Sequence, residues 1–201
     1  MSRALARTLV VAALCLGALS ACPKPPPPPA LWPLPELSLV DQGGAPVTLA
    51  RLKGRVWVVN FIYTRCSGAC PMLTARMKGL RDTLADEGAL GGRVGLLSIS
   101  VDPTADTPAR LAEYAAQWGA EASEWIFATG EPSAVQEAVI KGFKTAMGAP
   151  PAGEEATDFE ILHGQRFVLV DAGGVIRAFY ESTPEGIEAL SAQVRALSEG
   201  L

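Results

Sequence analysis

The sequence predicts an α/β domain with a mixed central sheet, helices on both of its faces and an N-terminal hairpin extension. Three observations carry that expectation. Val56-Trp57-Val58-Val59-Asn60-Phe61-Ile62 and Val94-Gly95-Leu96-Leu97-Ser98-Ile99-Ser100-Val101 are too continuously apolar to be half-exposed strands, so they read as central strands covered on both sides. Each is followed by a helical pattern, which gives a repeated β-α unit. Near the C-terminus, Ala172-Gly173-Gly174 joins two apolar runs as an antiparallel hairpin.

In chain order, Leu37 to Val40 and Val47 to Leu49 flank the turn signal Asp41-Gln42-Gly43-Gly44 and form the expected hairpin extension. The strand Val56 to Ile62 leads into a helix from about Pro71 to Asp86, with Leu73, Met77, Leu80 and Leu84 on one face. The strand Val94 to Val101 ends in Asp102-Pro103, and Thr107-Pro108 opens the next helix with an N-cap hydroxyl and a first-turn proline. A short strand at Trp125 to Ala128, a helix around Pro132 to Lys144 and a Gly/Pro/Glu-rich loop from Gly148 to Thr157 follow. Strands at Arg166 to Asp171 and Val175 to Tyr180 and a helix from Pro184 to about Leu197 complete the domain.

The 201 residues are accounted for by one domain plus a targeting segment. Arg3 and Arg7 precede an apolar stretch, Leu9 to Leu19, that is too short for a comfortable membrane span. Residues 1–21 therefore read as a signal peptide. The sequence Leu19-Ser20-Ala21-Cys22 resembles the lipobox of bacterial lipoproteins, which makes Cys22 the expected acylated N-terminus and places the chain outside the cytoplasm, anchored to a membrane. Residues 22–35, with the uninterrupted run Pro25 to Pro29, read as a stiff polyproline spacer, and residues 36–201 as the domain. A net charge of -4 without basic runs gives no electrostatic reason to expect a nucleic-acid partner.

With Cys15 removed with the signal peptide and Cys22 carrying lipid, two of the four cysteines remain as thiols, Cys66 and Cys70. They stand where an apolar strand hands over to a helix, beside unsatisfied helical N–H groups that favour thiolate. Such a pair can be a disulfide, a redox couple or two metal ligands. Its three intervening residues, Ser67, Gly68 and Ala69, depart from the two of a thioredoxin-type redox pair, and two soft sulfurs suit Cu(I) or zinc. The chain's one histidine, His163, lies just before the Arg166 strand and is the candidate third ligand, although a lone histidine is more often structural. Asp102 is a turn residue beside the presumed site that could also face a partner. Met72 and Met77 read as core filler, and Glu154, Glu155, Asp158 and Glu160 form an acidic loop before His163.

The segment Tyr63-Thr64-Arg65-Cys66-Ser67-Gly68-Ala69-Cys70-Pro71 resembles the YT-x-C-x-x-x-C-P motif of the Sco/SenC family. Ser98 to Pro103 with Asp106-Thr107-Pro108 resembles that family's S-x-D-P-x-x-D-T-P segment, and His163 with Phe167 to Asp171 and Gly174 resembles its H-x-x-x-F-L-x-D-x-x-G segment. The resemblance implies a thioredoxin-like fold in which Cys66, Cys70 and His163 bind copper for assembly of the CuA centre of cytochrome c oxidase, with the CuA-bearing subunit as partner. It implies a metallochaperone rather than an enzyme in the strict sense. The departures are Ser67, Gly68 and Ala69, where family members often carry Pro and Asp, and Gly164, where they carry a hydroxyl residue. The competing expectation is an extracytoplasmic thiol-disulfide oxidoreductase that keeps target cysteines reduced, with Cys66 as the attacking thiol. Against it, Leu162-His163-Gly164-Gln165 offers no proline where thioredoxin-like reductases place a cis-proline.

Overall fold

The computed structural model describes residues 26–66, 68–145 and 166–201. Eight strands form one sheet in the order β1-β8-β7-β4-β5-β6-β2-β3. They are β1 (Trp32–Pro33), β2 (Leu39–Asp41), β3 (Pro46–Val47), β4 (Val56–Ile62), β5 (Val94–Ser100), β6 (Trp125–Thr129), β7 (Arg166–Val170) and β8 (Val175–Glu181). The helices are α1 (Leu49–Leu52), α2 (Ala69–Asp86), α3 (Pro108–Gln117), α4 (Pro132–Gln136) and α5 (Pro184–Ser198).

The two apolar runs take the central positions. Every residue of β4 and β5 is buried, and the two strands pair in parallel from Val56↔Val94 to Ile62↔Ser100. Parallel β6 and antiparallel β7 flank them, so the sheet is mixed as expected. Alternation along the strands divides the core in two. Trp57, Val59, Phe61, Leu97, Ile99, Val168 and Val170 face a layer made by the N-terminal segment, α1, α4 and the residues that follow α4, including Leu34, Leu37, Val139 and Phe143. Val56, Val58, Ile62, Leu96, Phe127, Phe167 and Leu169 face Leu73, Met77, Leu80 and Leu84 of α2 together with residues of α3 and α5. Gly95 is required on the first face, because a Cβ there would lie 2.5 Å from the Trp57 ring, whose Nε1 donates to Leu52 O at 2.7 Å.

The helix caps follow the sequence signals. Thr107 accepts from the Arg110 amide at the start of α3 and Thr183 from the Gly186 amide at the start of α5, each with proline in the first turn. The 41–44 turn is made as expected, with the Asp41 carboxylate accepting from the Gly43 and Ala45 amides and from Arg51.

Three local features differ from the sequence expectation. The 132–144 helix is α only to Gln136 and continues as a π-helical turn, Glu137–Gly142, with Phe143 N bonded to Ala138 O at 2.8 Å. Helix α2 starts at Ala69, two residues before the expected Pro71, which puts Cys70 inside its first turn. Residues 26–35, expected as spacer, lie on the domain. The Pro26 carbonyl accepts from Gln193, the Pro28 carbonyl accepts from Arg177, and Trp32 and Pro33 pair with Ile176 and Val175. Proline has no N–H to lose to a sheet edge but keeps its carbonyl, so a proline run serves as an acceptor-only strap. Among the described residues no helix is long and apolar enough to cross a membrane.

Candidate metal centre

The site is built at the carboxyl end of β4, where ligand sites lie in open α/β sheets. After Ile62, the chain makes a tight turn in which Cys66 N bonds to Tyr63 O at 3.2 Å, and α2 begins three residues after Cys66. Gly68, at the N-cap, has no side chain with which to cap the helix. The Cys66 sulfur takes that role, accepting from the Cys70 amide at 3.4 Å. The two thiols are free and unequal: Cys66 is half-buried and Cys70 is buried.

Burial pushes the Cys66 thiol up, but the hydrogen bonds it accepts from the Cys70 thiol and amide, the Tyr63 side chain and the Gly68 amide outweigh that and bring it below its ordinary value. Cys70 is pushed up to about 12, first by burial, then by the hydrogen bond it gives Cys66, with the negative charge of Asp106 adding in the same direction. The pair is therefore primed at one sulfur, with the second proton retained behind it. Thr74 Oγ1 donates to Cys70 O at 2.9 Å and lies 3.1 Å from the Tyr114 hydroxyl, which braces the first turn of α2 against α3.

Two acids of the β5–α3 loop hold the stretch that enters the site. Asp102 pairs with Arg65 at 2.6 Å on the open side. Burial alone would raise its carboxyl, but the bonds from Arg65 and Thr104 and the Arg65 charge hold it below the usual carboxylate range. Asp102 is thus both the turn residue its sequence suggested and an ion-pair partner. Asp106 is fully buried and accepts from Thr64 Oγ1 at 2.6 Å, Thr64 N at 3.0 Å and Ser100 Oγ at 2.6 Å. Met77 is buried in the core, as expected, whereas Met72 is exposed on the first turns of α2.

Residues 34–199 match the SCO1/SenC family model. The chain belongs to the SCO1/SenC family. It is 36% identical over 148 residues to the SCO1 protein homolog of Bacillus subtilis (strain 168), covering 72% of each chain. It is 32% identical over 146 residues to a putative copper-binding protein of Stutzerimonas stutzeri, covering 72% of this chain and 67% of that one. Among solved structures, a SCO1/SenC family lipoprotein from Bacillus anthracis str. Ames superimposes with a TM-score of 0.72 at 28% identity, over 84% of this chain and 96% of that one. BsSco, a member of the Sco family of cytochrome c oxidase assembly proteins in which a disulfide switch was identified, does so with a TM-score of 0.70 at 32% identity, over 86% and 96%. The expected thioredoxin-like fold is that of these Sco structures.

As a SCO1/SenC domain, the chain presents its Cys-x-x-x-Cys segment with both sulfurs on one helix terminus. His163 and the acidic loop before it lie outside the described residues, as do Cys22 and the signal segment. Among the described residues no three His, Cys, Asp or Glu side chains gather as a metal cluster; Cys66 and Cys70 are brought together as a pair of free thiols. Sequence reasoning weighed Asp102 and passed over Asp106. The signal was present in the paired motifs, because Thr64 of the first bonds directly to Asp106 of the second.

Proposed function

We propose that the chain is an extracytoplasmic, lipid-anchored copper metallochaperone for the CuA centre of cytochrome c oxidase, with Cys66, Cys70 and His163 as copper ligands and Cys22 as the lipid attachment site. The observation that carries the reading is the paired free thiols at the start of α2, one primed toward thiolate, in a SCO1/SenC domain. The donor set fits the metal. Two sulfurs without a hard oxygen ligand select a soft ion such as Cu(I), and a neutral imidazole from His163 completes a three-ligand site. Copper here is cargo, taken up and passed to the CuA-bearing subunit. Binding displaces the protons of both thiols, so loading draws first on Cys66 and then on the proton held at Cys70. Similarity to a putative copper-binding protein and to a Sco cytochrome c oxidase assembly protein supports both metal and partner.

Titration of the reduced domain with Cu(I) against a competing chelator tests the ligand set. His163→Ala is expected to weaken Cu(I) binding by more than the roughly 10–100-fold typical of losing an outer-shell group. Parental affinity in that variant would remove His163 from the site. For the anchor, Cys22→Ala is expected to move the protein from the membrane to the soluble fraction, and unchanged retention would overturn lipidation at Cys22.

A second reading, thiol-disulfide exchange, has an observation of its own. The unequal pair, an open sulfur of lowered pKa backed by a buried one, is the order of attacking and resolving thiols, and a disulfide switch was identified in the similar BsSco. The two activities share one site, since copper binds only when both sulfurs are reduced.

A further inference from the structure

Helices α2 and α5 cover the same face of the sheet and leave an open groove of about 300 Å³ between them. Leu80, Pro184 and Ile187 give it apolar walls, and Arg76 puts a charge at the end nearest the thiols. Two of its features answer no need of the fold. Gly79 stands in the middle of α2, where glycine is destabilising relative to alanine, yet a Cβ there would meet nothing within 4 Å. The space it leaves lies outside the packed core and is open to an incoming side chain. Arg76 is the second feature. Of the four cations on α2 and α5, Lys78, Arg81 and Arg195 pair with Asp82, Glu124 and Glu87. Arg76 meets no carboxylate among the described residues and donates to Ser182 Oγ at 3.0 Å. Its guanidinium stays charged at every physiological pH. Ser182 is itself buried, and α5 is pressed so closely on the end of β8 that a Cβ at Gly186 would run into Glu181 O. The groove and its cation are therefore preformed.

We propose that the α2–α5 groove is the docking site of the membrane-bound copper recipient, taking an apolar side chain of the CuA-bearing subunit with a carboxylate beside it. The inference rests on the metallochaperone reading above and adds to it the surface by which the recipient is recognised. Charge complementarity sets the chemistry of the occupant. With one N–H given to Ser182, the planar fork of Arg76 keeps donors that match a carboxylate, next to walls that match a hydrocarbon side chain. Position sets which protein brings them. Arg76 is six residues beyond Cys70 on the same helix, about 9 Å along its axis, so a segment seated in the groove lies beside the thiols. The other wall, α5, also receives the N-terminal segment, through Gln193 and the Pro26 carbonyl. A lipid at Cys22 would keep that wall near the bilayer in which a membrane-bound recipient sits.

The test compares the full chain with its Gly79→Leu and Arg76→Glu variants in three measurements: binding of the copper-free CuA-bearing subunit in detergent, Cu(I) affinity by chelator competition, and thermal unfolding. Gly79→Leu fills the groove from within and replaces a mid-helix glycine by a better helix former, so its melting temperature is expected to equal or exceed the parent's. Arg76→Glu reverses the charge and leaves the walls in place. Binding of the subunit is expected to weaken at least about tenfold in each variant, as when an anchor pocket or one member of an interfacial charge pair is lost, while Cu(I) affinity stays parental. Parental binding of the subunit by either folded variant overturns the docking site. A parent that self-associates in sedimentation and becomes monomeric as Gly79→Leu also overturns it, because the occupant is then a second copy of the chain. A parent that binds Cu(I) but not the subunit, with copper loaded or absent, overturns the recipient named in the metallochaperone reading, and the docking site with it.

Discussion

At the scale of single residues, the site turns on the inequality of two cysteines that look equivalent in the sequence. Cys66 accepts hydrogen bonds at the open end of a helix, whereas Cys70 gives one and is buried behind it. Thiolate is the species that reacts with alkylating agents, so the two residues should separate by pH and by access. In the reduced, metal-free protein at about pH 8, iodoacetamide is expected to modify Cys66 at least tenfold faster than Cys70. The Cys66 rate should rise with pH through a midpoint below the ordinary thiol value of 9.0, while Cys70 becomes reactive once the chain is unfolded. Peptide mass spectrometry across pH checks this; equal labelling of the two in the folded state would show that the asymmetry is absent. The location of the pair was legible from the strand-to-helix handover. Which sulfur caps the helix was not, because that depends on the helix beginning at Ala69, and helix ends are the part of a pattern least determined by periodicity.

At the scale of elements, the strongly patterned segments were legible and the ones governed by distant contacts were not. Both buried strands, the amphipathic helix over Leu73 to Leu84 and the Thr-Pro helix starts carry their signals within one window of sequence. The π-helical turn does not. Its last residue, Gly142, offers a carbonyl to Trp32 Nε1 at 3.3 Å and packs against Pro35, residues more than 100 positions away. Likewise Gln42, read as part of a turn, uses its side-chain amide to bond Trp125 O at 3.1 Å and Phe127 N at 2.9 Å, standing in for a strand partner of β6. The paired motifs occupy an intermediate position. Thr64 and Asp106 were each visible, and their bond explains why the two loops act as one unit that delivers the cysteines, yet no local pattern announces it. His163, the proposed third ligand, lies outside the described residues and is supported by its residue type and its family motif, which makes the chelator experiment on His163→Ala the decisive one for the proposed ligand set.

At the scale of the whole molecule, the docked proline segment changes how an anchored domain would stand on a membrane. As a free polyproline spacer, residues 23–35 would span on the order of 40 Å. With the Pro26 and Pro28 carbonyls held by Gln193 and Arg177, only four residue steps separate Cys22 from the first docked position, a reach of about 14 Å at most. A lipid at Cys22 would therefore hold the α5 and β8 side of the domain close to the bilayer and limit the directions from which a membrane-bound partner meets the thiols. The strap also covers the outer edge of β8, which would otherwise present unpaired backbone groups. Its main side-chain attachment is Trp32, which packs on Phe179 with ring centroids 5.9 Å apart and bonds the end of the π-helical turn. Trp32→Ala is expected to cost about 1–3 kcal/mol in denaturant unfolding, the range for a partly buried aromatic side chain. Hydrogen exchange locates the loss. The Leu31 and Leu34 amides, bonded to Ile176 O and Gly174 O, should be protected in the parent and exchange freely in the variant, while amides of β4 stay protected in both. Rapid exchange at Leu31 and Leu34 in the parent would mean that the segment is a free tether after all, and the domain would then swing on the full length of its prolines.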